Sequence, residues 1–370
     1  MKTFLKILGV IILLIAGYVF YIFSSTGAFR SIQNTYPSEG EISNYDLPGV
    51  EDIAISREDE FLILSSDHRA ARRDGEAYVS GLYFMDLRES DTIYQNAGTF
   101  ILEVPEELRL YPHGISLLKI DSNTHRLLVV NHVSDSNDAL GSADLNTVHS
   151  IEEFLLRNRR LTHIKTHIDE AILSPNDVAA VGEKGFYLSN DHGSTTHLGL
   201  LTEDYLGFKK ANVVYYDGAN YKKVAGDIAY ANGVYYDQSR ELVYVAAPRE
   251  FAVKVYKKAA NGDLSLEARI DCNSGVDNIE LDEDGKIWIG SHPDLLTFAA
   301  YAAGDKKVSP SEIITIEYKS ANDYQVNSIY VSDGSDMSAS TTAVAYKDKV
   351  YLGNVMDDHF ISLDRGLLNN

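Results

Sequence analysis

DIAISREDEFLILSSD, residues 52–67, is a short alternating apolar stretch, a polar turn and a second, mostly apolar stretch. The same unit returns five times: HGISLLKIDSNTHRLLVVNH (113–132), DVAAVGEKGFYLSNDH (177–192), NGVYYDQSRELVYVAA (232–247), NIELDEDGKIWIGSHPD (278–294) and TAVAYKDKVYLGNVMDD (342–358). Two such runs around a tight turn read as a β-hairpin, and Asp284-Gly285, Lys347-Asp348 and Glu183-Lys184-Gly185 supply suitable turn residues. The starts lie 61, 64, 55, 46 and 64 residues apart, irregular but of one order. A repeat of that size holding several strands is the signature of a propeller blade. The expected fold is therefore all-β, a six-bladed β-propeller forming one domain. Two packed sandwich sheets would not repeat one hairpin six times.

The remaining composition agrees. Tyr outnumbers Phe 24 to 13, Gly stands at 26 and Pro at 8, which favours strands and tight turns over a helical bundle. Fifty-four acidic against 33 basic residues give a net charge of −21, and this excludes a nucleic-acid role, which needs clustered Lys and Arg. The single cysteine, Cys272, rules out an internal disulfide and a Cys-based zinc site.

Lys2 and Lys6 precede an uncharged run over 7–29 whose core, ILGVIILLIAGYVFYIF (7–23), has 17 residues. That reaches the lower end of the ~17–25 needed to span a bilayer and exceeds the ~7–15 of a signal-peptide core. Residues 1–30 are expected to be an uncleaved signal anchor and 31–370 the propeller. The two lysines keep the N-terminus in the cytoplasm and send the rest to the periplasmic or extracellular face. Cleavage near Ser25-Thr26-Gly27-Ala28 would instead secrete the protein.

Polar residues recur at one register. At or just before the head of each first strand stand Glu51-Asp52, His113, Asn176-Asp177, Asn232, Asp277-Asn278 and Ser340-Thr341. First strands line a propeller's central channel, so these positions converge there. One Glu, three Asp and three Asn supply oxygen and no sulfur, the donor set of a calcium site. Singly each fits a turn or Asx cap, but seven at one register favour metal. Carboxylates left unpaired in a narrow channel would be driven to take up protons.

The sequence resembles the paraoxonase/arylesterase family of calcium-dependent lactonases. The matching segments are GVEDIAIS (49–56), YPHGIS (111–116), LLVVNH (127–132), PNDVAAVG (175–182), FYLSNDH (186–192), YANG (230–233), DNIELD (277–282), IWIGSHP (287–293) and STTAVAYKDKVYLG (340–353). They fall in order, and the resemblance covers about 49 to 364. It implies two calcium ions in the tunnel. The catalytic ion would be held by Glu51, Asn176, Asn232, Asp277 and Asn278, and the structural ion by Asp52, Asp177 and the carbonyl of Ile115. It puts the family's histidine dyad at His113 and His132, and substrate-pocket positions at Tyr230 and Thr341. The family's animal members close the ring with a disulfide. Here strand pairing alone must do so, which calls for a segment near 42–47 in the last blade. Ser291 stands where the family often has Cys.

His113 opens a first strand and His132 ends its hairpin partner, so the hairpin brings them together as base and orienter. His192 and His292 end second strands of other copies and are expected at the pocket rim, with Asp191 fixing His192. His163, His167 and His197 have no partner pattern and read as surface. No G-x-S-x-G elbow, HExxH, P-loop or GxGxxG is present, so hydrolysis would rely on metal and water. The expected activity is calcium-dependent hydrolysis of lactones and aryl esters, with some organophosphates. Asp277 is the competitor to His113 as base or nucleophile. The alternatives are a gluconolactonase-like or strictosidine-synthase-like propeller, which lacks the His113/His132 pair, and a non-catalytic calcium-stabilised binding propeller. The partners implied are a small lactone or ester and, through the anchor, a membrane. No protein partner is implied. Pocket walls are expected from the loops at 68–78 and 294–305.

Overall fold

The computed structural model describes residues 2–38, 40–88, 99–133 and 147–368. Six four-stranded antiparallel sheets follow one another along the chain. The first holds β2 (Val50–Ser56), β3 (Phe61–Asp67), β4 (Ser80–Asp86) and β5 (Thr99–Ile101). The second holds β6 (Pro112–Lys119), β7 (Thr124–Val133), β8 (Val148–Arg157) and β9 (Arg160–His167). The inner strands of the next four are β10 (Pro175–Val181), β14 (Val234–Asp237), β18 (Gly275–Leu281) and β22 (Ser340–Tyr346). Each repeated hairpin forms the first two strands of its sheet, which makes this a six-bladed propeller.

The ring closes as the lone cysteine requires. β1 (Ile42–Tyr45) joins the last sheet as its outer strand, against β24 (Phe360–Asp364), with Ile42 opposite Leu363 and Tyr45 opposite Phe360. Tyr45 stacks on Phe360 at 4.6 Å between centroids, and its hydroxyl lies 3.1 Å from Ser362 Oγ. Val50, Ile53 and Leu64 of the first blade pack on Val344 and Tyr351 of the last. Comparable apolar layers fill the other blade interfaces, for example Tyr244, Val255, Ile279 and Ile289. The core is thus a ring of slabs between sheets, and the axis is left to polar groups.

The register is broken at the head of five inner strands. One extra residue is inserted between Val50 and Asp52, between Pro112 and Ile115, between Pro175 and Val178, between Val276 and Ile279, and between Ser340 and Thr342. A bulge lets two residues face one and re-aims a side chain. Here the bulges carry Glu51, His113, Asn176-Asp177, Asp277-Asn278 and Thr341. Asn232 lies just before β14, with its N–H on Ala246 O at 2.9 Å. The blades also meet closely there. A Cβ at Gly114 would stand 2.4 Å from Asp177 Oδ1, and one at Gly233 would stand 2.5 Å from the carbonyl oxygen of Asp277.

A helix over Lys2–Ser25, with no buried residue, has the length and apolar composition to cross a membrane. It ends on the propeller, where Leu295 N–H donates to Thr26 O at 2.9 Å.

Candidate functional site

The bulged strand heads carry Glu51, Asn176, Asp277 and Asn278, and the turn just before β14 carries Asn232, all buried. Each leaves one buried side-chain oxygen without a hydrogen-bond partner: Glu51 Oε2, Asn176 Oδ1, Asn232 Oδ1, Asp277 Oδ1 and Asn278 Oδ1. An unpaired buried acceptor costs about 1–3 kcal/mol, so five at one place need a ligand that accepts lone pairs. The partnered atoms of these residues aim the orphaned ones. Asn278 Nδ2 donates to Glu51 Oε1 at 2.9 Å and to the Glu51 carbonyl at 3.1 Å. Asp277 Oδ2 lies 2.7 Å from His292 Nε2, and the His292 ring stacks on Phe298 at 4.0 Å. Burial raises the Asp277 carboxyl above its ordinary range, partly offset by His292. Among the described residues no three His, Cys, Asp or Glu side chains form a metal-holding group. The set here is two carboxylates and three amides, which suits a hard cation.

Asp52 and Asp177 are a separate pair. Asp52 Oδ1 and Oδ2 accept from the N–H groups of Ile53 and Ile115, each at 2.8 Å. Asp177 Oδ1 and Oδ2 accept from Val178 and Val234, each at 2.7 Å. Burial pushes both carboxyls well above the usual carboxylate range; Glu51 adds to this at Asp52, and Asp52 adds to it at Asp177. With Ile115, Tyr235 and Glu280 they line a cavity of about 230 Å³, which the five orphaned oxygens' residues do not line. Glu280, which the sequence reading passed over, has its carboxyl pushed up to about 7 by burial, opposed by Arg57.

His113 Nδ1 lies 2.9 Å from Arg69 Nη2 and 3.2 Å from Glu51 Oε2. A guanidinium only donates, so Nδ1 accepts from Arg69, the ring proton sits on Nε2, and Glu51 Oε2 stays without a hydrogen bond. The Glu51 carboxyl, raised by burial, is brought below its ordinary value by the neighbouring His113 and Arg69. His132 and His113 meet edge to face, 5.1 Å between centroids. His132 hydrogen-bonds elsewhere: its Nδ1 lies 2.8 Å from Nδ1 of His149, its register partner on β8. Burial, then His149, holds the His132 imidazole well below its ordinary value, and its Nε2 is buried without a partner. His149 was missed because it lies on the next strand of the same blade, 17 residues from His132, and only strand pairing joins them. Arg69 was missed because loop residues carry no register.

His192 is held at both nitrogens, Nδ1 2.8 Å from Asp191 and Nε2 2.8 Å from Asp204. Burial would lower its imidazole, but Asp191 and Asp204 outweigh that and raise it to about 10. Tyr230, at a left-handed φ of 64°, sets its ring 5.2 Å from His192. Thr341 is buried and donates from Oγ1 to the Glu51 carbonyl at 2.6 Å. The expectation for two surface histidines is corrected. His167 is buried between Glu153 Oε2 at 3.0 Å and the Tyr221 hydroxyl at 2.8 Å, and His163 pairs with Glu152 at 2.9 Å. Packing of the second blade on the third encloses His167, whereas His163 stays part-exposed and is held within its own blade.

Fold and site together define a propeller with a channel site of oxygen donors flanked by histidines. A model of the arylesterase family matches residues 76–362. Mouse serum paraoxonase/arylesterase 1 is 33% identical over 245 residues, 66% of each chain. Its human counterpart is 31% identical over 276 residues, and mouse serum paraoxonase/lactonase 3 is 30% identical over 278, each covering 74% of both chains. The chain belongs to the arylesterase family, a family of carboxylic ester hydrolases. A solved structure titled a putative gluconolactonase is similar in fold, with a TM-score of 0.51 at 12% identity, covering 91% of this chain and 94% of that one.

Proposed function

We propose that this chain is a calcium-dependent hydrolase of lactones and aryl esters, with organophosphates as a secondary class. The observation that carries the reading is the convergence of five partnerless buried oxygens beside His113. Glu51, Asn176, Asn232, Asp277 and Asn278 would hold a catalytic calcium, and Asp52, Asp177 and the Ile115 carbonyl a structural one. Bound at the first set, the ion supplies Lewis-acid polarisation of the carbonyl and stabilisation of the oxyanion.

The chain's own groups do the rest. His113 would be the base for the attacking water, which takes the place of the Arg69 N–H at the single Nδ1 lone pair, on the side of Glu51 Oε2. As water oxygen bonds to the carbonyl carbon, that nitrogen takes the proton. It then returns the proton to the departing alkoxide or aryloxide oxygen as the C–O bond breaks. His132 packs on His113 and keeps it in place, with His149 fixing which His132 nitrogen bears the proton. His292 turns Asp277 so that Oδ1 stays free. Tyr230 and His192 form pocket wall, and Thr341 and His292, expected there too, support ligands instead. Residues 1–30 act as a membrane anchor, supported by the apolar helix, and 31–370 work on the periplasmic or extracellular face. Cleavage of the helix would release the domain.

The test is a panel of γ- and δ-lactones, phenyl acetate and an organophosphate, assayed with calcium and with chelator, alongside metal analysis of the purified protein. Chelator-sensitive turnover with about two calcium ions bound per chain is expected. Calcium binding without turnover of any ester would leave a binding propeller, and turnover indifferent to chelator would remove the metal.

A further inference from the structure

The central channel has a second end. The cavity of about 230 Å³ is lined along β2 from Asp52 to Arg57 and along β14 from Val234 to Gln238. At about 3.3 Å of rise per residue, Arg57 stands about 16 Å beyond Asp52. The cavity therefore starts at Asp52 and Asp177, leads away from the strand heads and reaches Gln238, which is exposed. Glu51, Asn176, Asn232, Asp277 and Asn278 each precede the lining residues of their own strands, so they lie on the head side of that pair. Two side chains of opposite charge stand at the far end. Glu280, next to last in β18, lines the cavity, and its charge acts on Asp52. Arg57 reaches across to the last blade, where its Nη2 donates to the Ala345 carbonyl at 3.2 Å. Its Nε, 3.8 Å from Glu283 Oε2, makes no hydrogen bond. The Arg57 charge also acts on Glu280.

We propose that the calcium ion held by Asp52 and Asp177 enters and leaves through this far end, past Glu280 and Arg57, and exchanges without passing the catalytic ion. This rests on the two-ion reading above and gives its second ion a route. A carboxylate at a narrow mouth raises the local concentration of cations, and a guanidinium lowers it. Removing either charge should therefore move the rate of entry in opposite directions. A channel open only at the strand heads would instead keep this ion waiting behind the catalytic one.

The experiment follows exchange of radioactive calcium on the full, calcium-loaded chain at fixed free calcium. Affinities come from calcium-buffered titration, and the association rate is the exchange rate divided by Kd. Wild type should show two exchange phases. Asn232→Ala weakens the catalytic ion, so the phase that survives belongs to Asp52 and Asp177, and it should keep its wild-type rate. Faster exchange there would show that the catalytic ion had stood in the way, and overturns the proposal. Glu280→Gln should slow association in this phase by about tenfold, and Arg57→Gln should speed it by a similar factor. Lactone kcat/KM at saturating calcium should stay unchanged in both. Wild-type association rates in both variants, with affinity altered only through release, overturn the route. If Glu280→Gln does not fold, Gln238→Trp takes its place, since a bulky side chain at the mouth should slow exchange at unchanged affinity. Wild-type exchange in both Gln238→Trp and Arg57→Gln then overturns it. A chain that binds no second calcium refutes the two-ion reading and the route with it, whereas two ions exchanging by the head end refute the route alone.

Discussion

Replacing Thr341 with valine removes one hydroxyl and almost no volume. That hydroxyl donates at 2.6 Å to the Glu51 carbonyl, which also accepts from Asn278 Nδ2 at 3.1 Å. The carbonyl therefore keeps one partner, so the loss belongs near the low end of the range for a buried hydrogen bond, about 1 kcal/mol. Glu51 contributes one of the five orphaned oxygens, so the loosening should appear first in the ion. About 1 kcal/mol corresponds to about a fivefold weaker calcium affinity. Titration of chelator-treated protein with calcium, by calorimetry, reads this directly. Lactone KM at saturating calcium should stay near wild type, because the hydroxyl faces Glu51. Thr341→Ser should restore the affinity. An unaltered calcium affinity with a raised KM would refute the reasoning and return Thr341 to the substrate wall.

In ion-free protein Asp52 and Asp177 titrate above their unfolded values, so they stabilise the fold while protonated and lose that contribution as pH rises from about 4 through their folded values. The melting temperature of chelator-treated protein should fall as pH rises from about 4, as read by scanning fluorimetry, and calcium should restore it; a flat profile would contradict this. His113→Gln should lower lactone turnover by about 10²–10⁴-fold with calcium content unchanged, and His149→Gln should cost less while altering the pH profile. Full activity in the first variant would favour Asp277 as base. His192→Ala leaves Asp191 buried without its cation, a cost of about 3 kcal/mol in urea unfolding at pH 7. Because His192 titrates at about 10 in the fold, the wild-type contribution is complete below about 6.5 and fades as pH rises through 10. Equal stability of the two proteins at pH 7 would contradict it.

The order of residues alone specifies the hairpins, their number and the polar head of each inner strand, because alternation and turn chemistry act over a few residues. It also determined that closure must be non-covalent, since one cysteine cannot bridge, and that 42–47 had to supply the closing strand. Glu51, Asn176, Asn232, Asp277 and Asn278 were legible because their positions repeat. Which atom of each remains open depends on the folded chain. Oδ2 of Asp277 goes to His292 and Oδ1 does not, and Glu51 Oε1 goes to Asn278 while Oε2 does not. The first choice depends on the bulge within one hairpin, and the second on a contact between blades 227 residues apart. The same holds for Arg69 and His149. One sits after β3 and the other across a connection between strands, so no local pattern marks either; packing of the first blade on the second brings Arg69 to His113, and β7–β8 pairing brings His149 to His132.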